Sequence, residues 1–314
     1  MILTAVLPIF ALILAGYGFA RLRGFGGEAV ALLNSYVVWL ALPALLFDFL
    51  AEADWRTLNQ PGFVVVFTLS MMATFALSML LTPRIAGAPR PLGRRSLDGL
   101  TASYSNTAYM GIPLASGLLG PAGLAAAVIA TILTVCALFA FSIALVEIDL
   151  NRGASPLAAV GRVAISVCKN PLVASPIVGA LWALSGMPLP GALSAFCKMI
   201  GASATPVALV TIGMFLAQPS RPRTNSRGET AELGLAVALK LAVQPLLTLA
   251  LLWTIPLARP YAAAALLLAA LPTGTGPFMV AQLYGQEVAL ASRAILVSTL
   301  VSVLTIAAIA VWIV

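Results

Sequence analysis

Apolar runs long enough to cross a bilayer recur along nearly the whole of this 314-residue chain, and no other feature restricts its fold so severely. A helix needs roughly 20 apolar residues to span about 30 Å of hydrocarbon, and only helices and closed barrels can satisfy their own backbone there. The alternating pattern of a barrel strand occurs nowhere in the chain. With 61% hydrophobic and 9% charged residues, and a mean hydropathy of +1.05, the chain reads as an all-α integral membrane protein. Ten spans are expected, near 3–20, 29–50, 62–82, 98–118, 122–146, 167–185, 191–217, 233–256, 260–284 and 288–312, numbered M1 to M10. Arg21 and Arg23 follow the first apolar run instead of preceding it, so M1 is expected to stay in the membrane and not to be cleaved as a leader.

Composition also removes whole classes of chemistry. Histidine is absent, and with it the commonest metal ligand and general base. Cys136, Cys168 and Cys197 lie in or beside apolar spans without metal or redox spacing and read as core packing. No nucleophile–base set or Walker loop can be assembled. The expectation is therefore a protein that is not an enzyme and carries neither cofactor nor metal.

The net charge of +7 has an orientational explanation. Outside the spans, Arg21 and Arg23 follow M1, Arg84, Arg90, Arg94 and Arg95 follow M3, Arg152 and Arg162 follow M5, and Arg221, Arg223 and Arg227 follow M7. The opposite side has Arg56 and Arg259. By the positive-inside rule the odd-numbered loops are cytoplasmic and both termini lie outside. Basic residues this scattered do not form a nucleic-acid surface.

Sliding the second half over the first at an offset near 163 brings Pro8 onto Pro171 and Pro43 onto Pro206. At 164 to 166, Pro113 meets Pro277, Asn106-Thr107 meets Pro272-Thr273, and "LLG" at 118–120 meets "LYG" at 283–285. Each half holds five spans, an odd number, so the repeats are inverted. Inverted repeats are an architecture of alternating-access carriers.

At matching places in the two halves stand "YSNTAYMGIPL" (104–114) in M4 and "LPTGTGPF" (271–278) in M9. Proline lacks an N–H and clashes with the preceding turn, so Pro113 after Gly111 is expected to open M4 and unpair backbone over residues 105 to 112. At membrane depth that is tolerated only in a protein interior or against a wet cavity. M4 and M9 are therefore expected to cross at unwound centres, which aims free N–H groups and positive helix ends at one spot and favours an anion. Ser105, Asn106, Thr107, Thr273 and Thr275 supply neutral hydrogen bonds there.

The segments "NTAYMGIPL" (106–114), "KNPLVASPIVGALWAL" (169–184), "GMFLAQP" (213–219) and "LPTGTGPF" (271–278) resemble those of the auxin efflux carrier family, which includes plant carriers and bacterial organic-acid permeases. The likeness runs through all ten spans. It implies the sodium/bile-acid symporter type of fold with an elevator mechanism, in which a scaffold of M1, M2, M6 and M7 (1–50 and 167–217) supports a moving transport domain of M3–M5 and M8–M10 (62–146 and 233–314). Residues 147–166 link the two repeats, 1–146 and 167–314. It also implies an anion site at Asn106, Pro113, Pro272 and Pro277, with Gly111, Ile112 and Gly274 of the same motifs and Asn170 from the scaffold. Ser105 stands where the plant carriers usually have proline, M3 has no charged residue, and the long plant loop is absent. These departures point from auxin toward a small mono- or dicarboxylic acid, malonate-like or malate-like, and toward a bacterial cytoplasmic (inner) membrane. Family members are often dimers through the scaffold, so a homodimer is a further expectation.

Charged residues inside spans are functional hypotheses by default. Lys240, with Gln244 one turn on, has two readings: it pairs with unwound carbonyls or attracts the anion, or M8 begins late and the ammonium snorkels to the interface. Asp48 reads as interfacial at the outer end of M2. Asn170 before Pro171 is accounted for as a helix cap, a role compatible with substrate contact. Asn34, Ser203 and Thr205 are candidates for the scaffold side of the cavity, or for bonds to their own helices. Because M4 and M9 offer no acid at their crossing, the leading expectation is an organic-anion carrier, with a sodium- or proton-coupled symporter or antiporter of the same fold as the alternative.

Overall fold

A computed structural model describes residues 2–52, 59–87, 89–151, 165, 169–218, 227–286 and 288–313. Arg56, Arg152, Arg162, Cys168, Arg221 and Arg223, together with most of the 147–166 linker and of the 219–232 loop, lie outside the described residues.

All regular structure among the described residues is helical, apart from one isolated backbone bridge. In chain order the helices are α1 (Ile2–Arg23), α2 (Gly27–Ala51), α3 (Pro61–Ala86), α4 (Leu92–Ser103), α5 (107–119), α6 (121–150), α7 (Pro171–Leu184), α8 (Gly191–Leu216), α9 (Gly228–Thr254), α10 (Arg259–Ala269), α11 (Gly276–Leu283) and α12 (Ala289–Ile313). Among the described residues six stretches are long and apolar enough to cross a membrane: α2, α3, α8, α9, the α5–α6 segment Ile112–Leu150, and Ala289–Ile309 of α12. The molecule is a multi-pass membrane protein. Between α5 and α6 the chain turns at Gly120, whose φ of 62° and ψ of −145° no helix adopts; that left-handed φ suits glycine.

Where sequence patterning placed the spans, helices stand, with ends shifted by capping chemistry. Pro61, Pro171, Pro260 and Pro277 each fall in a first turn, where a missing N–H is harmless. Asn170 caps α7 as expected, its Oδ1 accepting from Leu172 N at 3.0 Å. The helix carrying Lys240 starts at Gly228, earlier than the expected 233, which places Lys240 well inside it.

Helix pairs α1 with α8 and α2 with α7 form the tightest seams. Gly213 lies so close to α1 that a Cβ there would collide with the Ile13 carbonyl, and a Cβ on Gly179 would come 2.5 Å from the Phe47 carbonyl of α2. In lipid, where apolar burial drives helix association weakly, such backbone approach supplies the packing.

One end of the structure is held by charge. Arg90 pairs with Asp98 at 2.8 Å and with Glu232 at 2.6 Å, Arg94 meets Asp98 at 3.4 Å, and Arg293 meets Glu229 at 3.3 Å. These pairs tie α4, α9 and α12 together, although sequence reading took the arginines only as topology signals. Toward the other end of α2, Asp48 is 8% exposed, covered by protein one turn from the more exposed Glu52–Lys198 pair at 2.7 Å. It therefore lies at the end of the helix, as expected, but behind protein.

Adding a methyl group at Gly213 should force α1 and α8 apart at a cost of about 1–3 kcal/mol. Gly213→Ala is expected to lower the melting temperature in detergent by several degrees. Gly18→Ala, on α1 where a Cβ meets nothing within 4 Å, should leave it unchanged.

Candidate functional site

Two helices are interrupted, and the interruptions pair with each other. After α4 ends at Ser103 the chain runs extended through Tyr104–Asn106, then re-enters helix through a wide π turn, Thr107–Gly111. After α10 ends at Ala269, residues 270–275 are non-helical until α11 starts at Gly276. Ser105 and Thr273 form an antiparallel bridge: Asn106 N donates to Pro272 O at 2.9 Å, and Gly274 N donates to Tyr104 O at 3.0 Å. Each break thereby satisfies the backbone of the other.

The carbonyls left at the helix ends are taken by side chains. In an unbroken helix Thr101 O would accept from Ser105 N; it accepts Thr273 Oγ1 instead, at 3.0 Å. Ala269 O, which Thr273 N would have reached, accepts from Lys240 Nζ at 2.7 Å, while Thr273 N donates to Ser298 Oγ at 3.0 Å. Lys240 is fully buried, so it does not snorkel. It stands in for the backbone donor that the α10 break removes.

Pro113 works differently from the sequence expectation. The break falls at 104–106, well upstream of it, and the backbone before the proline is partly paired: Thr107 N donates to Ser105 O at 2.8 Å, and Met110 N and Gly111 N to Asn106 O at 3.2 and 3.1 Å. A π turn spaces its bonds one residue wider, and this one runs directly into the proline's first turn. Pro113 itself is exposed.

Beside the bridge lies a cavity of about 120 Å³. At the ~30 Å³ that each water takes up in the liquid, it has room for about four water molecules. Its polar wall is Ser105, Asn106, Thr107, Thr131 and Thr275. Its apolar wall is Leu42, Leu45, Leu46 and Phe49 of α2 with Ile112, Ile132, Val135 and Met279. Thr107 and Ala108 begin one helical segment and Thr275 and Gly276 begin α11. Neither N-terminus has a side-chain cap, so both aim positive helix ends at the cavity. Ser105 Oγ and Thr107 Oγ1 are buried with no partner among the described residues. The lining residues include no charged side chain.

Of the residues expected at a site, Ser105, Asn106, Thr107, Ile112 and Thr275 line the cavity. Gly111, Pro272, Thr273, Gly274 and Pro277 are not among its lining and build the crossing behind it. Gly276 is required there, because a Cβ would collide with the Phe139 ring and come 2.6 Å from that of Tyr104. Pro113, Asn170, Lys240 and Gln244 do not line the cavity. Asn170 turns to Tyr284 at 3.4 Å, and Gln244 is buried with both amide atoms unpartnered among the described residues. Asn34 donates to Met279 O, the backbone of a wall residue, and Ser203 bonds Tyr36, so these two brace helices and do not themselves line the cavity. Sequence reasoning missed the apolar wall, including Cys136, which packs against the core as expected and also lines the cavity. The visible signal was Pro43, which follows a π stretch, Val37–Ala41, at the foot of that wall.

Comparison with known proteins places this chain. Residues 1–312 match the family model described as "Membrane transport protein", and the chain belongs to that family, the one that includes the auxin efflux carriers. It is similar to the "Putative malonate transporter" of Rhizobium meliloti (strain 1021), at 31% identity over 96% of this chain and 92% of that protein. The "Probable auxin efflux carrier component 5c" of Oryza sativa subsp. japonica is 24% identical over 95% and 93% of the two chains. An "Uncharacterized transporter" of Methanothermobacter thermautotrophicus is 24% identical over 96% and 95%. The chain is a membrane transporter and not an enzyme.

Thr273→Val keeps shape but leaves Thr101 O without its side-chain donor, a loss of about 1–3 kcal/mol. Its melting temperature should fall, and Thr273→Ser, which restores the hydroxyl, should recover most of the difference.

Proposed function

We propose, from the premise that the chain is a membrane transport protein, that it carries a small organic anion by alternating access at the paired breaks. The observation that carries this reading is the cavity. Two uncapped helix N-termini and neutral hydroxyl and amide groups face it, and no carboxylate lines it. Such a site can hold a carboxylate through backbone dipoles and neutral donors without burying a full positive charge. The Rhizobium relative, named for malonate, supports a small mono- or dicarboxylic acid as the class.

We further propose ten spans arranged as two inverted repeats, 1–146 and 167–314, with α4–α5 as M4 and α10–α11 as M9. Several pairings support a duplication. An offset of 163 carries Gly16, which packs on Val210, onto Gly179, which packs on Phe47, and carries Phe47 onto Val210. Helix pairs α1–α8 and α2–α7 exchange under the same operation. Gly24 and Gly186 share a positive φ, 68° and 70°, as do Gly120 and Gly285, 62° and 61°. In this reading α1, α2, α7 and α8 are the fixed scaffold, the remaining helices move as an elevator, and both termini lie outside a bacterial inner membrane. A homodimer through the scaffold belongs to the same proposal.

The test is thermal stability of the purified protein against a panel of small mono- and dicarboxylates, since a ligand that binds the folded state raises the melting temperature by mass action. At least one acid should stabilise the protein, and Asn106→Ala should abolish that shift while remaining folded. No shift with any acid, but one with sodium or with pH, would transfer the proposal to a cation-coupled carrier.

A further inference from the structure

Polar contacts are distributed unevenly between the two groups of helices just distinguished as fixed and moving. Inside the moving group they are numerous and include short ones, Arg90 to Asp98 at 2.8 Å, Ser96 to Ser142 at 2.8 Å and Gly93 N to Asp149 at 3.0 Å, beside longer ion pairs of 3.3 and 3.4 Å. Inside the fixed group Tyr36 meets Ser203 at 2.7 Å. Among the described residues two hydrogen bonds run between the groups, both are long, and both end on α11 or the residue after it. Asn34 Nδ2 donates to Met279 O at 3.5 Å, and Asn170 Nδ2 donates to Tyr284 Oη at 3.4 Å.

The second of these belongs to a relay. Tyr284 donates its phenolic proton to Glu147 Oε1 at 2.9 Å, and Asn170 uses its Oδ1 to cap α7. A carboxylate at the end of α6 thus connects through a phenol to an amide fixed on the first turn of α7. Phenol to carboxylate is a charge-assisted bond within the moving group. Amide to phenol is neutral and longer, and it is the link that crosses to the scaffold. Asn170 stands nine residues before Gly179, about 13 Å along the helix. Gly179 packs on Phe47, level with the part of α2 that lines the cavity. The relay therefore lies at a different depth from the cavity, toward the end where α6 and α11 finish.

We propose that Glu147, Tyr284 and Asn170 form a latch that holds the moving helices against the scaffold on the side away from the cavity, and that the Asn170–Tyr284 bond opens when α11 is displaced. The proposal rests on the two-group reading above. It assigns Tyr284 and Asn170 a positioning role in the cycle, outside the substrate site.

Cys136 in the cavity wall supplies a readout that needs no substrate. In a Cys168→Ser, Cys197→Ser background, its modification by a small membrane-impermeant methanethiosulfonate is followed in right-side-out and inside-out vesicles. Tyr284→Phe removes the hydroxyl. Asn170→Ser keeps a capping oxygen but is too short to reach Tyr284. Both are expected to raise the rate of modification from the cytoplasmic face about three- to tenfold, the range that loss of one neutral hydrogen bond produces, with melting temperatures near the parent's. Rates equal to the parent's in both variants, including no modification from either face, overturn the latch. A protein that fails to bind any carboxylate while still showing the rate increase would instead refute the anion reading and leave the latch standing.

Discussion

A backbone N–H or C=O inside a bilayer has no water to turn to, and the interior of this molecule is arranged around that fact. Continuous helices satisfy it automatically. Interrupted ones do not, and here the two interruptions are solved jointly: the extended residues around Ser105 and Thr273 bond to each other, and Thr101 O and Ala269 O receive the side chains of Thr273 and Lys240. Neither break would be tolerable alone at that depth. The crossing is thus a consequence of breaking the helices, and the positive ends of α5 and α11 meet beside it because each chain must restart its helix after the bridge.

The same logic separates what could be read in the sequence from what could not. Spans follow from length and apolarity, and the places of interruption follow from Pro, Gly and Thr in "LPTGTGPF" and "NTAYMGIPL". The depth of the first break did not follow, because a π turn lets the chain accommodate Pro113 without opening there, and π turns leave no composition signal. Lys240 was visible as an anomaly. Its partner was not, since Ala269 contributes only a carbonyl, which every residue has. Asp98 and Glu232 sit near span ends, and the ion pairs joining them to Arg90 depend on helices far apart in sequence. The apolar wall from α2 was illegible for a simpler reason: Leu42, Leu45, Leu46 and Phe49 look like any lipid-facing residues until something hollow stands beside them.

A carrier must bind its cargo and also let it go. An arginine buried in the cavity would hold a carboxylate through a charge-assisted pair, and the empty site would then bear an unpaired ion in lipid, at a cost of several kcal/mol. Helix ends and hydroxyls avoid both difficulties. Their dipoles are fixed by the fold and need no counterion when the site is vacant. The side chains of Ser105 and Thr107, without partners among the described residues, suit that division of labour, whereas Lys240, a fully buried cation, is turned to a structural carbonyl.

In the proposed cycle one further requirement falls on the surface between the groups of helices. If a body slides, every bond across the sliding surface must be broken on each passage, so strong bonds belong inside the bodies and weak ones between them. The ion pairs that bind α4, α9 and α12 keep the proposed moving group intact, and the glycine seams of α1–α8 and α2–α7 do the same for the scaffold. Two bonds at the outer limit of hydrogen-bond length are what such a surface can carry. Bonds of that length bias the resting position without fixing it, which allows occupancy of the cavity, itself lined by both groups, to shift the balance.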